Sequence, residues 1–506
     1  MKKSVRSILG LGTALVVLGG GYAFMKLTEP EENPETVSNE ENHTETEGAG
    51  IILIGDSQAE DGQSVVSKVD VKNSTDELHV VMNTPKTEES NATYTLEGYQ
   101  DLQLDTSLVA TLANNANNLS SEALIQQGKE NLAKFGLENP ETTVKVTFET
   151  GTEKTMYIGN KAPVGSACYV MVDDIDAVFT VRNSALANYS KTLFDFVEDT
   201  VLEAPEQSAY PIVNTLKIER EDIDYDILLE YDEKSNDEGY SSGTSATHVM
   251  VEPTSAYLAV ERSTDIVTGM FGLSAKNIYS VHCGESDIAE TGLKEPFCRV
   301  TMSTTDGDYI LLLSEPFTDD DNEKCCYAML EGGNTIYIVK AENAKWVTVK
   351  PIDIASRIFI GTYVWNVNNL TVSDNQGDSA EFSVTMKDSV EDENSLTAED
   401  FDTTLNGSEF DSERYRKFYS YLISANAEEF ALDTEIPDSE PMVTVSYDDT
   451  YSDEHRDLSF YDYSNLTALI TVNGESKFFV AKSYVETLIK NLQILQTDDD
   501  FITTWK

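Results

Sequence analysis

Apolar and polar residues alternate in short runs along most of the chain after residue 65, and Asn, Asp, Ser and Gly separate the runs. Alternation with a period of two, interrupted by turn residues, predicts antiparallel β-hairpins. Three such strand pairs occur, with first strands near Val69, Leu216 and Leu370. The sequence therefore predicts three hairpins, spaced by roughly one domain length.

Stretches with apolar residues three and four positions apart predict short helices between the strands. Asp105 and Asp411 each stand directly before such a stretch, where a capping side chain is expected. Further short helices are expected over residues 121–132 and from Lys482 onward. Strands before and after the helices predict the α+β class, with mainly antiparallel strands.

The motif Gly-Leu-x-x-Pro-x-x-x-Val occurs twice and follows a predicted helix each time. Glycine accommodates the left-handed conformation that often ends a helix, and a proline shortly afterwards prevents the helix from continuing. A fainter copy keeps only the Pro-x-x-x-Val spacing at Pro441. We interpret the motif as a structural helix stop formed by Gly136, Pro140, Gly292 and Pro296.

These copies, together with the length of 506 residues, predict three tandem repeats. The predicted organisation is a cytoplasmic tip and transmembrane helix (1–27), an acidic disordered stalk (28–64), and α+β repeats at 65–205, 206–360 and 361–506, the last of them divergent.

One apolar segment near the N-terminus, which begins at Ile8 and ends at Met25, contains no charged residue. A helix of that length is just long enough to cross a bilayer. Basic residues precede it and acidic residues follow it, so the positive-inside rule predicts a cytoplasmic N-terminus and an extracytoplasmic remainder. The alternative is a cleaved signal peptide.

The chain is strongly acidic, with 35 Lys and Arg against 90 Asp and Glu and a net charge of −55. Such a charge repels phosphate backbones, so nucleic acid is not expected as a partner. Five cysteines are too few for a disulfide-rich scaffold, and the pairing of Cys283 with Cys298 stays open.

Candidate chemistry is sparse. Ser57 follows an apolar run in a Gly-Asp-Ser sequence, as in one class of esterases, but the Asp-x-x-His that ends at His79 comes too early to match that class. Acidic clusters at 319–323 and 498–500 lack the alternation of a calcium loop. We therefore expect no catalytic, cofactor-binding or metal-binding residues and no enzyme activity.

The sequence resembles a bacterial family of domains of unknown function, DUF4340. The features that carry the resemblance are Leu-Ser-Ser-Glu-Ala at 119–123, Phe-Gly-Leu-x-x-Pro at 135–140, Tyr-Ile-Gly-Asn at 157–160 and Cys-Tyr-Val-Met at 168–171, besides the N-terminal apolar segment. The resemblance implies a membrane-anchored extracytoplasmic protein, often encoded beside ABC-type transporter subunits, and it supplies no catalytic residues.

Together, these features predict a non-enzymatic, membrane-anchored interaction or spacer protein, an accessory of an ABC-type transporter or another cell-envelope complex. A solute-binding surface receptor and a serine hydrolase that uses Ser57 are the alternatives.

Overall fold

The computed structural model describes residues 48–59, 64–163, 165–233, 246–390 and 396–505. Within these ranges β-strands dominate, and every strand pair is antiparallel. Three large sheets follow one another along the chain. A two-stranded sheet, β1 (Ile52–Ile54) with β5 (Leu119–Ser120), accompanies the first of them.

The first large sheet has eight strands. They are β2 (Val66–Lys72), β3 (Glu77–Thr84), β4 (Thr93–Leu96), β6 (Ala123–Gln127), β7 (Thr142–Phe148), β8 (Glu153–Lys161), β9 (Ala167–Val172) and β10 (Ala177–Arg182). Their order is β4-β3-β2-β7-β8-β9-β10-β6, so β4 and β6 form the two edges. Val144, Val146 and Phe148 of β7 are buried on one face, as period-two alternation requires.

The second large sheet has ten strands. They are β11 (Val213–Arg220), β12 (Ile227–Tyr231), β13 (His248–Glu252), β14 (Ala256–Tyr257), β15 (Asn277–Val281), β16 (Cys298–Thr304), β17 (Asp308–Leu313), β18 (Phe317–Thr318), β19 (Lys324–Leu330) and β20 (Thr335–Lys340). The order is β14-β13-β12-β11-β16-β17-β19-β20-β15, and β18 pairs with β19. Strands β14 and β15 therefore form the edges.

The third large sheet has nine strands. They are β21 (Val367–Asp374), β22 (Ser379–Met386), β23 (Phe401–Leu405), β24 (Ser408–Phe410), β25 (Glu429–Phe430), β26 (Val443–Asp449), β27 (Glu454–Asp462), β28 (Thr467–Val472) and β29 (Glu475–Ala481). The order is β24-β23-β22-β21-β26-β27-β28-β29-β25.

Helices are few and short in the described residues, and the longest has 12 residues. The α-helices are α1 (Thr106–Asn115), α2 (Asn183–Leu186), α3 (Val260–Thr268), α4 (Glu285–Glu290), α5 (Pro351–Ile354), α6 (Ser412–Leu422) and α7 (Lys482–Gln493). Single 3-10 turns span Leu132–Phe135, Ala187–Ser190, Leu193–Phe196, Gln207–Ala209, Lys345–Val347, Val364–Asn366 and Ala398–Asp400.

Several predictions about local structure are confirmed. The three predicted hairpins are β2 with β3, β11 with β12, and β21 with β22. The Asp105 side chain accepts a hydrogen bond from Leu108 N at the start of α1, and Asp411 does the same for Glu413 N at the start of α6. A helix begins at Lys482.

The prediction of a helix over residues 121–132 is wrong. Strand β6 occupies Ala123–Gln127 and pairs with β10, and only a 3-10 turn follows at Leu132–Phe135. Pairing with the edge of a sheet satisfies the backbone of this segment and outweighs its weak helical spacing.

The second and third sheets share one hydrophobic core. Residues between the two sheets fill the junction: the Phe359 ring lies 6.1 Å from the Phe460 ring and 6.2 Å from the Tyr484 ring. Lys477 Nζ donates a hydrogen bond to Ser255 O across the same junction (2.6 Å). The first sheet has a separate core, against which Val281 of the second sheet packs, and polar groups and one connecting segment make further contacts between these two sheets.

The predicted fold class, α+β in three tandem repeats, is therefore wrong. The described residues form mainly antiparallel sheets with few helices, and the sheets are not three separate repeats, because the second and third share one core. Shared turn motifs reveal similar hairpins in a sequence, but they do not reveal which apolar residues pack across a junction. The boundaries at 65, 205, 360 and 506 stay predictions.

Among the described residues, no helix is both long and apolar enough to cross a membrane. The predicted transmembrane segment from Ile8 to Met25 and most of the predicted stalk lie outside the described residues.

Candidate functional site

Ser57 lies in an exposed turn after β1. The neighbouring Asp56 carboxylate accepts hydrogen bonds from two threonine hydroxyls in the loop after β7. His79 lies on β3, where its Nδ1 is 2.5 Å from Asp70 Oδ1 on the adjacent strand. In the ranges that the structure covers, no hydrogen bond joins Ser57 to a histidine, so nothing in the geometry favours a hydrolase.

The helix-stop residues stand close to the starts of two central strands. Gly136 has φ +72° and follows a 3-10 turn, and Gly292 has φ +76° and lies two residues after α4. Pro140 and Pro296 each lie two residues before the next strand, β7 or β16. The helix-stop interpretation itself stays a prediction, which glycine substitutions test.

Three of the motifs that carry the family resemblance pack together on one face of the first sheet. Phe135 and Leu137 are buried with Met171, and Tyr157 and Tyr169 pack against them. A Cβ atom on Gly159 would lie 2.2 Å from the Phe135 carbonyl oxygen, so the Tyr-Ile-Gly-Asn segment needs a glycine for this approach. These motifs thus form a small packing cluster, and the contacts give them no chemical role.

The acidic cluster at 319–323 surrounds a lysine. Oxygen atoms of Asp319, Asp321 and Glu323 lie within 4.8 Å of one another. Lys276 Nζ lies 2.5, 2.7 and 2.8 Å from these three carboxylates. The ammonium group therefore occupies the position that a cation would need, and the hydrogen bond from Lys276 lowers the pKa of Asp319 to about 2.

All five cysteines of the chain are free thiols. Cys283 Sγ lies 3.8 Å from Met329 Sδ, and Cys298 is fully buried. Burial raises the pKa of Cys298 to about 12, so this thiol is not reactive at neutral pH.

A cleft of about 650 Å³ lies where the first sheet meets the second. One wall comes from the N-terminus of α1 and from residues 192–199, and the other from residues 276–279 at the start of β15. The cleft is the candidate site because it is formed by two different sheets and carries a concentrated charge.

The segment 196–201 holds the two walls together. On one side Asp105 N donates to Phe196 O (2.9 Å), and Glu198 N donates to Gln103 O (2.8 Å). On the other side Val201 N donates to Leu273 O (2.8 Å), and a β-bridge joins Thr200 to Ser274. The same short segment therefore pairs with residues 103–105, which precede α1 on the first sheet, and with residues 273–275, which precede β15 of the second sheet.

Four carboxylates line the cleft beside Lys276: Asp105, Asp195, Glu198 and Asp199. The Asp105 carboxylate is already engaged as the N-cap of α1, and hydrogen bonds from Ser107 and Leu108 lower its pKa. Partial burial raises the pKa of Glu198, and repulsion from neighbouring carboxylates adds to the effect.

The lysine in the cleft does not neutralise these groups, because its ammonium is bound by the 319–323 cluster. The cleft is consequently a negatively charged groove.

A second set of contacts couples the two sheets at the far end of β15. His282 Nε2 lies 3.0 Å from Asp101 Oδ1, and the imidazole stacks on the Tyr99 ring at 5.3 Å. Asn334 Nδ2 donates to Asp101 Oδ2 (2.6 Å). The hydrogen bond from His282 lowers the pKa of Asp101.

Sequence reasoning missed this cleft. Glu198 and Asp199 stand in a short acidic connection, and acidic pairs are common throughout a chain with 90 Asp and Glu. A usable signal was the run 277–281, which contains neither charge nor proline and is in this respect unusual for an edge strand.

Comparison with known proteins gives one match. Residues 95–296 match the model of a family described as a domain of unknown function (DUF4340). No curated protein and no solved structure matches the chain. The matched range begins in β4, contains the cleft residues from Asp105 to Tyr279, and ends just before β16, so it crosses from the first sheet into the second instead of following one predicted repeat. Over residues 95–296 the match supports the family resemblance that the sequence motifs indicate.

Proposed function

We propose that the chain is a non-enzymatic interaction or spacer protein that works outside the cytoplasm at the cell membrane, as an accessory of an ABC-type transporter or another envelope complex. The location rests on the charge distribution around residues 8–25, and the partner class rests on the family resemblance. Both come from the sequence alone.

The observation that carries the proposal is the direct coupling of the three large sheets. The second and third share a core, and the segment 196–201 pairs with residues 103–105 beside the first sheet and 273–275 beside the second. Sheets that are joined in this way keep fixed relative positions, as a spacer or a multi-point docking protein requires. Independent domains on flexible linkers would not keep fixed relative positions.

Photo-crosslinking in the native cells tests the proposal. A photoreactive amino acid is placed at one exposed position on or beside each sheet: Ile125 on β6, Asn277 on β15 or Tyr363 shortly before β21. The proposal predicts discrete adducts with the same partner complex at one or more of these positions, and none at the buried control position Phe460. The absence of adducts at every exposed position would overturn the proposed function.

The predicted location has its own test. Protease added to intact cells should degrade the three sheets if they lie outside the membrane. A chain that stays intact until the cells are lysed would contradict the extracytoplasmic location. A chain that is released into the medium would contradict the membrane attachment.

Solute binding is the second candidate function, and the cleft is the observation that favours it. A volume of about 650 Å³ lies in the range of small-molecule sites. Its carboxylates would select a cationic solute, so spermidine is a suitable probe. A saturable rise in melting temperature with spermidine, lost in Glu198→Gln, would support this candidate, and an unchanged melting temperature would exclude it for polyamines.

A further inference from the structure

The edge strand β15 offers an open backbone. It pairs with β20 on one side only, and in the described parts of the chain no strand pairs with its other side. An unpaired edge presents a row of amide and carbonyl groups, and proteins usually protect it with charges, proline, a bulge or short length. The run 277–281 reads Asn-Ile-Tyr-Ser-Val, with neither charge nor proline, although its pairing with β20 has one irregularity.

The other edges of the large sheets differ from β15. Strands β14, β24 and β25 have two or three residues each, and β4 has four. Strand β6 is as long as β15, but Gly48 lies directly against Leu124 of β6. Segment 196–201 covers residues 273–275 just before β15, and the first sheet contacts Val281 and His282 at its other end. Between these contacts, no segment of the described chain pairs with the outer edge of residues 277–280.

The cleft runs along this edge. Asn277, Ile278 and Tyr279 line one side, and the carboxylates of residues 105 and 195–199 line the other. Neither the Glu198 nor the Asp199 side chain makes a hydrogen bond or ion pair within the described part of the chain, so both remain available to a bound group. Phe194, which is 41% exposed, supplies an apolar contact at the same wall.

An extended segment that paired with β15 would lie in this groove. Its side chains would alternate between the two faces of the second sheet, and a lysine or arginine side chain is long enough to turn from there toward the carboxylates across the cleft. Such a side chain would complement the carboxylates, and the net charge of −55 disfavours an acidic segment. Backbone pairing gives affinity in such complexes, and the alternate side chains give specificity.

We propose that β15 and the facing acidic wall form a docking groove for an extended, basic segment of a partner protein, which adds as a further strand to the second sheet. This inference rests on the proposed function as an interaction protein, and it identifies the surface and the chemistry of the partner segment.

Peptide binding to the full chain tests the groove. The probe is a blocked, fluorescent Lys-Val-Lys-Val-Lys-Val peptide, with a Glu-Val peptide of the same length as charge control. A third peptide keeps the Lys-Val sequence but carries N-methyl groups on alternate amides, which removes donors of a β-ladder and keeps the charge. Binding is followed by fluorescence anisotropy.

The Lys-Val peptide is expected to bind saturably and the Glu-Val peptide not to bind. N-methylation should weaken binding more than tenfold, because several ladder hydrogen bonds are lost. The double change Glu198→Gln and Asp199→Asn should weaken it by about tenfold. The matched control Glu440→Gln, an exposed carboxylate near the start of β26, should leave the affinity unchanged.

Failure of the Lys-Val peptide to bind would overturn the inference. Equal binding of the N-methylated peptide would show charge attraction without strand addition. An unchanged affinity in the double variant would show that the peptide binds elsewhere. Either result also overturns the inference. If photo-crosslinking gives adducts at Ile125 or Tyr363 while the peptide does not bind, only the groove is refuted. If no exposed position gives adducts, the proposed function fails independently of the peptide result.

Discussion

Gly136 and Gly292 form a matched pair for testing how the repeated motif works. Both have left-handed backbones, with φ +72° and +76°. Their surroundings differ: a Cβ atom on Gly136 would lie 2.5 Å from Asn160 Oδ1 and 2.9 Å from Asn160 N, and a Cβ atom on Gly292 would meet nothing within 4 Å. Alanine at position 292 therefore tests the cost of the left-handed backbone alone, and alanine at position 136 adds the steric contact with Asn160.

The structure sets the expected magnitudes. Alanine in a left-handed conformation costs about 1 to 2 kcal/mol, so Gly292→Ala should destabilise the chain by about that amount. Gly136→Ala adds the displacement of Asn160, whose backbone cannot rotate away as a side chain can, and overpacking of this kind costs about 1 to 3 kcal/mol. We therefore expect a total of about 2 to 4 kcal/mol for Gly136→Ala, with valine more severe than alanine at both positions.

Hydrogen exchange measured by mass spectrometry is the appropriate assay, because it reports the free energy of local opening for each segment. Tryptophan fluorescence would not report on the first sheet, since Trp346, Trp365 and Trp505 all come later in the chain. Gly136→Ala should increase exchange in peptides from 132–148 and 167–172, where the Phe135 cluster lies. Peptides from 298–313 should be unaffected.

The double variant provides a control for independence. Gly136 borders the cluster around Phe135 and Gly292 precedes Leu293 of a separate cluster, so the two losses should add to within about 0.5 kcal/mol. Equal destabilisation by Gly136→Ala and Gly292→Ala would refute the reasoning from the Asn160 approach. An unchanged exchange pattern in Gly136→Val together with lost partner binding would make Gly136 part of a functional surface.

Three further changes test the electrostatics and the junctions. Glu198→Gln should raise the melting temperature at neutral pH, because the raised pKa of Glu198 means that its ionised carboxylate opposes folding. This gain in melting temperature should vanish as the pH falls below 4.5, the usual pKa of Glu, and a gain that is independent of pH would contradict this cause. Lys276→Gln should lower the melting temperature at neutral pH, because Lys276 stabilises the ionised Asp319 carboxylate and so lowers its pKa. This stabilisation is complete above pH 3.8 and is lost as the pH falls through about 2. A lower melting temperature of the variant that persists below pH 2 would point to another cause. Lys477→Ala should cost about 1 to 2 kcal/mol in urea unfolding followed by tryptophan fluorescence, because it removes the hydrogen bond to Ser255 O, and a loss below 0.3 kcal/mol would show that this bond does not hold the junction.

Local features of the fold could be predicted from the sequence because their causes are local. The hairpins follow from alternation and turn residues, and Asp105 and Asp411 cap helices because a carboxylate at that position accepts backbone hydrogen bonds. The segment Ala123–Gln127 shows the limit: its own spacing suggests a helix, and only pairing with β10 makes it a strand.

The cleft and the shared core depend on contacts between distant residues. Lys276 meets Asp319 across 43 positions, and nothing in either neighbourhood indicates the pairing. Phe359 joins the cores of two sheets, although its apolar neighbours are equally compatible with a separate linker. Such contacts arise from the arrangement of the sheets, which one sequence does not specify through periodicity.

Photo-crosslinking at Asn277 in the full chain, compared in native cells with and without Glu198→Gln and Asp199→Asn, tests the account most directly. Asn277 is exposed and lies on the open edge between β20 and the acidic wall. If β15 and the acidic wall form the docking groove, an adduct with a single partner forms at Asn277, weakens about tenfold in the double variant and persists with Glu440→Gln. An adduct that forms equally in the double variant, or the absence of any adduct at Asn277 while Tyr363 gives one, would contradict it.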